Sequence, residues 1–192
     1  MKLQDSLPNG VYVDGKFYKM DFDFRNVLRM IDVLDRDDMM PEAKAYKALR
    51  CICRRPKNVY KVLAAVKEVL FKAPRKKRTG QKITDFEQDA GLIRAAFRQA
   101  YGIDLYRERI HYIEFTELLN AIPDASRYAE VLGIRARPMP PATKWNQHER
   151  EWLLKAKQDV AIQMTEQEQK DRYKQDVANI ATILMAWAKG SE

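Results

Sequence analysis

Glu108 and His111 stand three residues apart, the E-x-x-H spacing with which helical di-metal proteins aim a carboxylate and an imidazole at one ion. Such a centre needs a second E-x-x-H pair and two further carboxylates. The chain has one other histidine, His148, and Trp145 occupies the position where its partner glutamate would stand. We therefore predict no metal site, and we expect His111 to satisfy its ring nitrogens locally.

The other reactive side chains do not form a catalytic set. Asp85, Glu87 and Asp89 lie together at a predicted helix start, where negative charge is stabilised by the helix dipole. Cys51 and Cys53 are two residues apart, so on a helix they point to different sides and are predicted to be buried free thiols. The glycines do not form a phosphate loop, and no G-x-S-x-G nucleophile motif is present. We predict a protein that is not an enzyme and uses no cofactor.

Positive charge is concentrated in the first part of the chain. Residues 1–82 carry 20 Lys and Arg against 10 Asp and Glu, a net of +10, whereas residues 83–192 carry 15 against 17, a net of −2. The run 72–82, KAPRKKRTGQK, contains six cations and no carboxylate, which indicates a solvated loop. Its candidate nucleic-acid contacts are Arg75, Lys76, Lys77 and Arg78.

Binding of nucleic acid by this basic run is an alternative function. Six cations would neutralise phosphates in a salt-dependent way, but the run has no aromatic side chain on which a base could stack. We therefore favour a plain solvated loop over a nucleic-acid site for this run.

Length and composition predict an ordinary globular protein. The chain has 192 residues and is 46% apolar, enough for one domain or for one domain with an appendage. No run approaches the roughly 18 apolar residues that a membrane span requires. The N-terminus MKLQDSLPNG lacks the basic and apolar regions of a secretory signal, so we expect a cytosolic protein.

Residues 83–123 are predicted to form a helical hairpin. Thr84 and Glu87 have capping-box spacing, and Gly102 follows where a left-handed residue would end the first helix. Asp104 is a second N-cap candidate, and Pro123 ends the second helix. Apolar residues at three- and four-residue spacing form two facing stripes: Phe86, Ala90, Ile93, Phe97, Ala100 and Tyr101, then Ile110, Ile113, Phe115, Leu118, Leu119 and Ile122. We predict that the stripes bury each other, with Phe97 and Leu118 in the core.

The N-terminal part is predicted to be a β-hairpin followed by three helices. Asp14-Gly15 between alternating apolar residues is typical of a type I′ turn. Asp23 can cap the first helix, and Pro41 suits the first turn of the second. The third helix follows Pro56 and ends before residue 74.

The C-terminal part is predicted to be helical beyond a proline-rich boundary. A short helix from Ser126 to Leu132 ends at Gly133, and the prolines of residues 138–144 indicate a hinge. We therefore predict a core domain at residues 1–137, the hinge at 138–144, and one long or two consecutive helices within 145–192. The fold class is mainly α, a multi-helix body with a small N-terminal β-hairpin and a long C-terminal helical extension.

The terminal extension carries an apolar stripe that we predict to bind a partner, with packing onto the body as the alternative. Its residues recur at helical spacing: Tyr173, Val177, Ile180, Leu184 and Trp187.

Five segments of the chain are distinctive: LPNGVYVDGKFYKMDFDFR at 7–25, DFEQDA at 85–90, FRQAYGIDL at 97–105, RIHYIEF at 109–115 and GIRARP at 133–138. Together they resemble a known family of long-tailed bacteriophages, the bacteriophage protein-fifteen family, which is regarded as a family of tail assembly chaperones. The resemblance covers roughly residues 3–157. Tyr112 and Ile113 stand where the family usually has an aromatic pair, and the helix from about Gln158 extends past the usual family end.

The resemblance implies a non-enzymatic protein made during infection that assists tail formation in the host cytoplasm and is absent from the mature virion. Its expected partners are the tape-measure protein and the tail tube protein, with self-association into a homo-oligomer also expected. An apolar helical stripe of the tape measure would aggregate if left bare, and a helical chaperone can cover it without a cofactor. A structural virion protein, such as a connector or tail-completion protein, is a further alternative.

Overall fold

A computed structural model describes residues 4–71 and 83–163, and within them the fold is mainly α. This part of the chain contains one two-stranded sheet and seven helices. It falls into two compact units. The first takes the described residues of Met1–Gly80 and Gly91–Glu130, and the second takes those of Gln81–Ala90 and Val131–Glu192. The predicted domain boundaries at 137 and 144 stay a prediction.

The sheet is the predicted hairpin. Strands β1, Gly10–Val13, and β2, Lys16–Lys19, pair antiparallel, with Val11 opposite Tyr18 and Val13 opposite Lys16. Asp14 and Gly15 both have positive φ, 49° and 73°, which is the type I′ geometry. Val11, Val13 and Tyr18 are buried, so one side of the hairpin belongs to the core.

Three helices follow as predicted: α1, Phe24–Asp35; α2, Pro41–Ile52; and α3, Val59–Leu70. Asp23 caps α1, with its side chain accepting from the Arg25 amide, and Pro41 stands in the first turn of α2. Helix α1 packs on α2, α2 packs on α3, and β1 packs on α3. The hairpin is therefore stabilised by a helix, as a lone hairpin must be.

The start of the next helix differs from the prediction. Helix α4 is Ala90–Tyr101, and residues 86–89 form turns before it. The predicted Thr84 capping box is wrong, because the Asp85 carboxylate accepts the amides of Glu87 and Gln88, both at 2.9 Å. The predicted end is correct, since Gly102 follows the helix with φ of 71°.

The second helix of the predicted hairpin begins later than Asp104. Asp104 instead caps a turn by accepting the Tyr106 amide at 3.0 Å, and α5 is Tyr112–Asn120 with His111 as its N-cap. The delay has a tertiary cause: the Phe24 amide donates to Ile110 O at 2.9 Å, and the Tyr112 amide donates to Phe22 O at 2.8 Å. This extended pairing holds the chain before α5 against the start of α1.

Three phenylalanine rings form a column in the core of the first unit. The Phe115 ring stacks on the Phe24 ring, with centroids 4.6 Å apart, and on the Phe97 ring, with centroids 5.3 Å apart. Phe97 and Phe115 are fully buried. The prediction that Phe97 lies in the core is confirmed, whereas Leu118 is only partly buried. The backbone carbonyl of Leu118 accepts a hydrogen bond from the Tyr101 hydroxyl at 2.8 Å.

The last two helices are α6, Arg127–Ala136, and α7, Gln147–Asp159. Gly133 lies inside α6, so the predicted helix end at Leu132 is wrong. The helical hydrogen bonding continues past it, because the Arg137 amide donates to Gly133 O at 3.0 Å. Residues 137–143 are non-helical, as the prolines predict. Helix α7 ends at Asp159, and most of the predicted terminal extension lies outside the described residues.

Candidate interaction site

A cavity of about 380 Å³ lies beside the first turns of α1 and is a candidate binding site. Its wall carries four guanidinium groups, one carboxylate and one amide: Arg25, Arg29, Arg107, Arg109, Asp23 and Asn26. The extended pairing of residues 22–24 with 110–112 brings these two parts of the chain together.

Asp23 anchors the wall. Its carboxylate accepts the Arg25 amide at 3.1 Å, Arg25 Nε at 2.9 Å and Arg25 Nη2 at 3.0 Å. Burial by itself would raise the pKa of Asp23, but the hydrogen bonds and charge of Arg25, with the charge of Arg109, outweigh it and hold the pKa below its usual value. Asp23 is therefore a stable anion that caps α1 and positions Arg25.

The guanidinium of Arg25 is held in place by hydrogen bonds within the protein. Besides Asp23, its Nη2 donates to Glu108 O at 2.9 Å and its Nη1 to Tyr106 O at 3.4 Å. The side-chain hydrogen bond to Asp23 raises the pKa of Arg25. Its guanidinium thus links the start of α1 to the backbone of residues 106–108.

Arg109 is paired but open to solvent. Its Nη2 lies 2.8 Å from both carboxylate oxygens of Asp21, and its Nε lies 3.6 Å from Asp23 Oδ2. The hydrogen bond to Asp21 raises the pKa of Arg109. Because Asp21 is itself exposed, solvent screens this pair and weakens it.

Arg29 and Arg107 supply the charge that is least neutralised. Arg29 donates to the neutral Asn26 amide oxygen at 3.0 Å. Arg107 is 87% exposed and lies 3.8 Å from Asp104, whose carboxylate Arg98 already contacts at 2.6 Å. Guanidinium groups stay protonated and cannot act as acids or bases at physiological pH, so this cavity is suited to binding anions.

The E-x-x-H pair does not converge on a common point. Glu108 Oε1 accepts the Asp104 amide at 2.9 Å, while His111 Nδ1 accepts the Ile113 amide at 3.1 Å. His111 Nε2 lies 2.9 Å from Pro8 O, which fits the tautomer that carries its hydrogen on Nε2. Both ring nitrogens of His111 have partners, but only Nδ1 finds its partner locally, because Pro8 is 103 residues away in the sequence. Within residues 4–71 and 83–163, no group of three or more His, Cys, Asp or Glu is placed to hold a metal ion.

The acidic trio separates into two roles that the sequence did not reveal. Asp85 makes the turn before α4, but Asp89 is buried in the second unit and pairs with Arg135. Arg135 Nη1 also donates to Ile83 O at 3.1 Å, and its Nε donates to Val160 O at 2.6 Å. The expectation that the helix dipole alone explains this trio is therefore wrong for Asp89.

Both cysteines are free thiols, as predicted. Cys53 is buried and Cys51 is partly buried. Burial raises the pKa of the Cys51 thiol, so the protonated and less reactive form is favoured.

Two tryptophan side chains are exposed on the second unit. Trp145 is 95% exposed and Trp152, on α7, is 53% exposed, whereas the neighbouring Leu153 is buried. Exposed tryptophan is unusual on a surface that contacts only water, and it is enriched where proteins bind each other.

Both binding stretches predicted from the sequence lie outside the described residues. These are the apolar stripe of Tyr173, Val177, Ile180, Leu184 and Trp187 and the basic set of Arg75, Lys76, Lys77 and Arg78. Both stay predictions. The cavity was missed because its arginines lie in two places about 80 residues apart, and neither place contains a cluster dense enough to be noticed.

No helix in the part of the chain that the structure describes combines the length and apolar character needed to cross a membrane.

A comparison with protein families supplies the identity. A family profile described as Bacteriophage Gp15 protein matches residues 3–162, which include the cavity, Asp89 and Arg135. No curated protein and no solved structure matches the chain. The resemblance drawn from the sequence segments is confirmed. Because the match covers most of the chain, the protein belongs to the bacteriophage Gp15 protein family, a family of phage structural and morphogenesis proteins.

Proposed function

We propose that the protein is a non-enzymatic tail assembly chaperone that covers apolar helical stripes of the tape-measure protein. The observation that carries this proposal is the family match over residues 3–162, which places the protein in phage structure or morphogenesis. The exposed Trp145 and Trp152 support it, since they offer apolar surface for a partner.

The mode of binding follows from the chemistry of the partner. A tape measure is a long helical chain whose apolar stripes aggregate unless they are covered. Apolar anchors at helical spacing, such as Tyr173, Val177, Ile180 and Leu184 with Trp187, would bind such a stripe by helix-in-groove packing. The tail tube protein is a second proposed partner, and self-association of the chaperone would use the same apolar surface.

The proposed place of action is the cytoplasm of the host cell while tails assemble, with the protein absent from the mature virion. A connector or tail-completion protein would remain in the particle. Detection of the chain in purified particles would therefore favour the virion alternative over the chaperone.

Co-expression with the tape-measure and tail tube proteins of the same phage, followed by affinity purification at low and high salt, tests the proposal. We expect co-purification that survives high salt and is lost in Leu184→Asp. Gln169→Asp is the matched control, because it adds the same charge to the same segment without removing an apolar side chain. Absence of co-purification for the unmodified chain overturns the chaperone function, while full binding by a folded Leu184→Asp variant excludes the terminal stripe.

Nucleic-acid binding is tested in the same purification. Recovered nucleic acid that is released as salt rises would support the basic run, because phosphate contacts weaken with salt. In that case the quadruple change of Arg75, Lys76, Lys77 and Arg78 to glutamine should abolish recovery.

A further inference from the structure

We propose that the arginine-lined cavity binds an acidic segment of a partner protein, one in which two or more Asp or Glu side chains stand close together. The proposal rests on the cavity and goes beyond the apolar contacts of the chaperone. Its ligand is defined by chemistry: neighbouring carboxylates presented on a peptide.

The charge of the wall requires an anionic ligand. Four guanidinium groups face one carboxylate among the lining residues, and that carboxylate, Asp23, is already saturated by Arg25. Arg109 is paired with the exposed Asp21, and both Arg107 and Arg98 contact the carboxylate of Asp104. A surplus of positive charge therefore remains at Arg29 and Arg107. These two residues come from different segments of the chain and line the same cavity.

The wall is also organised in advance. Arg25 is fixed by Asp23 and by the carbonyls of Tyr106 and Glu108, so the two arginine-bearing segments are held together before any ligand arrives. The planar guanidinium forks of Arg29 and Arg107 can match carboxylates with paired hydrogen bonds.

A peptide fits this site better than a nucleic acid. The four lining arginines surround one cavity of about 380 Å³, which is a suitable size for a few side chains, whereas a nucleic-acid backbone needs a track of cations. Tyr106 has an exposed ring, and Arg94 lies against one face of it, with its guanidinium 4.5 Å from the ring centroid and donating to the hydroxyl at 2.6 Å. That face of the ring is therefore occupied and is not open for base stacking.

The test uses the full-length protein and two fluorescent probes of equal net charge, a short glutamate-rich peptide and a single-stranded DNA. Fluorescence anisotropy measures the affinity of each probe. We expect Arg29→Gln with Arg107→Gln to weaken peptide binding about tenfold, as the loss of two charge-assisted contacts implies. The matched control, Arg55→Gln with Arg137→Gln, removes the same charge from exposed sites outside the cavity and should change the affinity less than about twofold.

Each contrary outcome overturns the proposal. Equal losses in the cavity and control variants would show that only net charge matters. Peptide binding abolished by neutralising Arg75, Lys76, Lys77 and Arg78 but not by the cavity changes would assign it to the basic run. DNA that binds more tightly than the peptide, and that loses affinity in the cavity variant, would assign the cavity to nucleic acid. High-salt co-purification of the tape measure by the cavity variant would leave the chaperone proposal standing in all three cases.

Discussion

Asp89 and Arg135, which are 46 residues apart in the sequence, form a buried bidentate salt bridge. Arg135 Nη1 lies 2.7 Å from Asp89 Oδ2, and Arg135 Nη2 lies 2.9 Å from Asp89 Oδ1. The two side chains are only 2% and 9% exposed. Asp89 Oδ2 also accepts the Asp85 amide at 2.9 Å, and Lys157 Nζ donates to Arg135 O at 2.8 Å. The pair thus joins the segment before α4, the end of α6 and the end of α7 within the second unit.

Replacing Arg135 by Met should destabilise the protein by about 3–5 kcal/mol, because the buried Asp89 carboxylate loses its partner. Urea unfolding followed by circular dichroism measures the loss. Arg127→Met is the matched control: its pair with Glu130 is exposed, so the unfolding midpoint should hardly change. Equal midpoints for the two variants would show that the Asp89–Arg135 pair contributes nothing to stability.

The charge of Asp23 should stabilise the fold at neutral pH and lose its effect in acid. Its folded pKa lies below the unfolded value of about 3.9. Its contribution is therefore fully present above that value and is lost as the pH falls through the folded pKa. Asp23→Asn keeps an oxygen that can cap α1 but removes the charge, so the stability gap between wild type and variant should narrow in acid. Unfolding titrations at a series of pH values measure this gap, and a gap of constant size would contradict the prediction.

Truncation of Phe97 to Ala should cost about 3–5 kcal/mol in the free energy of unfolding, since the ring is fully buried and stacks on Phe115. Leu154→Ala, at an exposed position of α7, is the control and should stay within about 0.5 kcal/mol of wild type. A loss below about 1 kcal/mol for Phe97→Ala would mean that the ring column is not part of the stable core.

Two glycine-to-alanine changes should have opposite signs. A Cβ at Gly10 would press against the Tyr18 carbonyl oxygen and the Phe17 ring across the hairpin, so Gly10→Ala should cost about 1–3 kcal/mol. A Cβ at Gly91, inside α4, meets no atom within 4 Å, so Gly91→Ala should add about 0.5–1 kcal/mol through helix propensity. Thermal unfolding measures both changes, and a stabilised Gly10→Ala variant would contradict the predicted close approach.

The sequence predicted those elements whose ends are set by neighbouring residues. The Asp14-Gly15 turn, the Asp23 cap and the Pro41 helix start each depend on a few adjacent side chains. The mainly α fold and the buried Phe97 followed from apolar spacing in the same way.

Features set by distant contacts could not be predicted in this way. Helix α5 starts at Tyr112 because the chain before it pairs with residues 22–24, and no local signal in 104–111 reveals that pairing. Gly133 predicts a helix end, but α6 continues through it to Ala136, the residue after Arg135. The cavity likewise exists only because the fold brings Arg29 and Arg107 together.

The column of Phe24, Phe115 and Phe97 also bears on the order in which the first unit can fold. Its rings come from α1, α5 and α4, and the contact between Phe24 and Phe115 joins residues that are far apart in the sequence. A non-local contact of this kind requires the closure of a long loop and slows the folding of a chain whose secondary structure is mostly helical. A nascent chain on the ribosome can form the hairpin and α1 to α3 early, but this core stays open until Phe115 has left the exit tunnel.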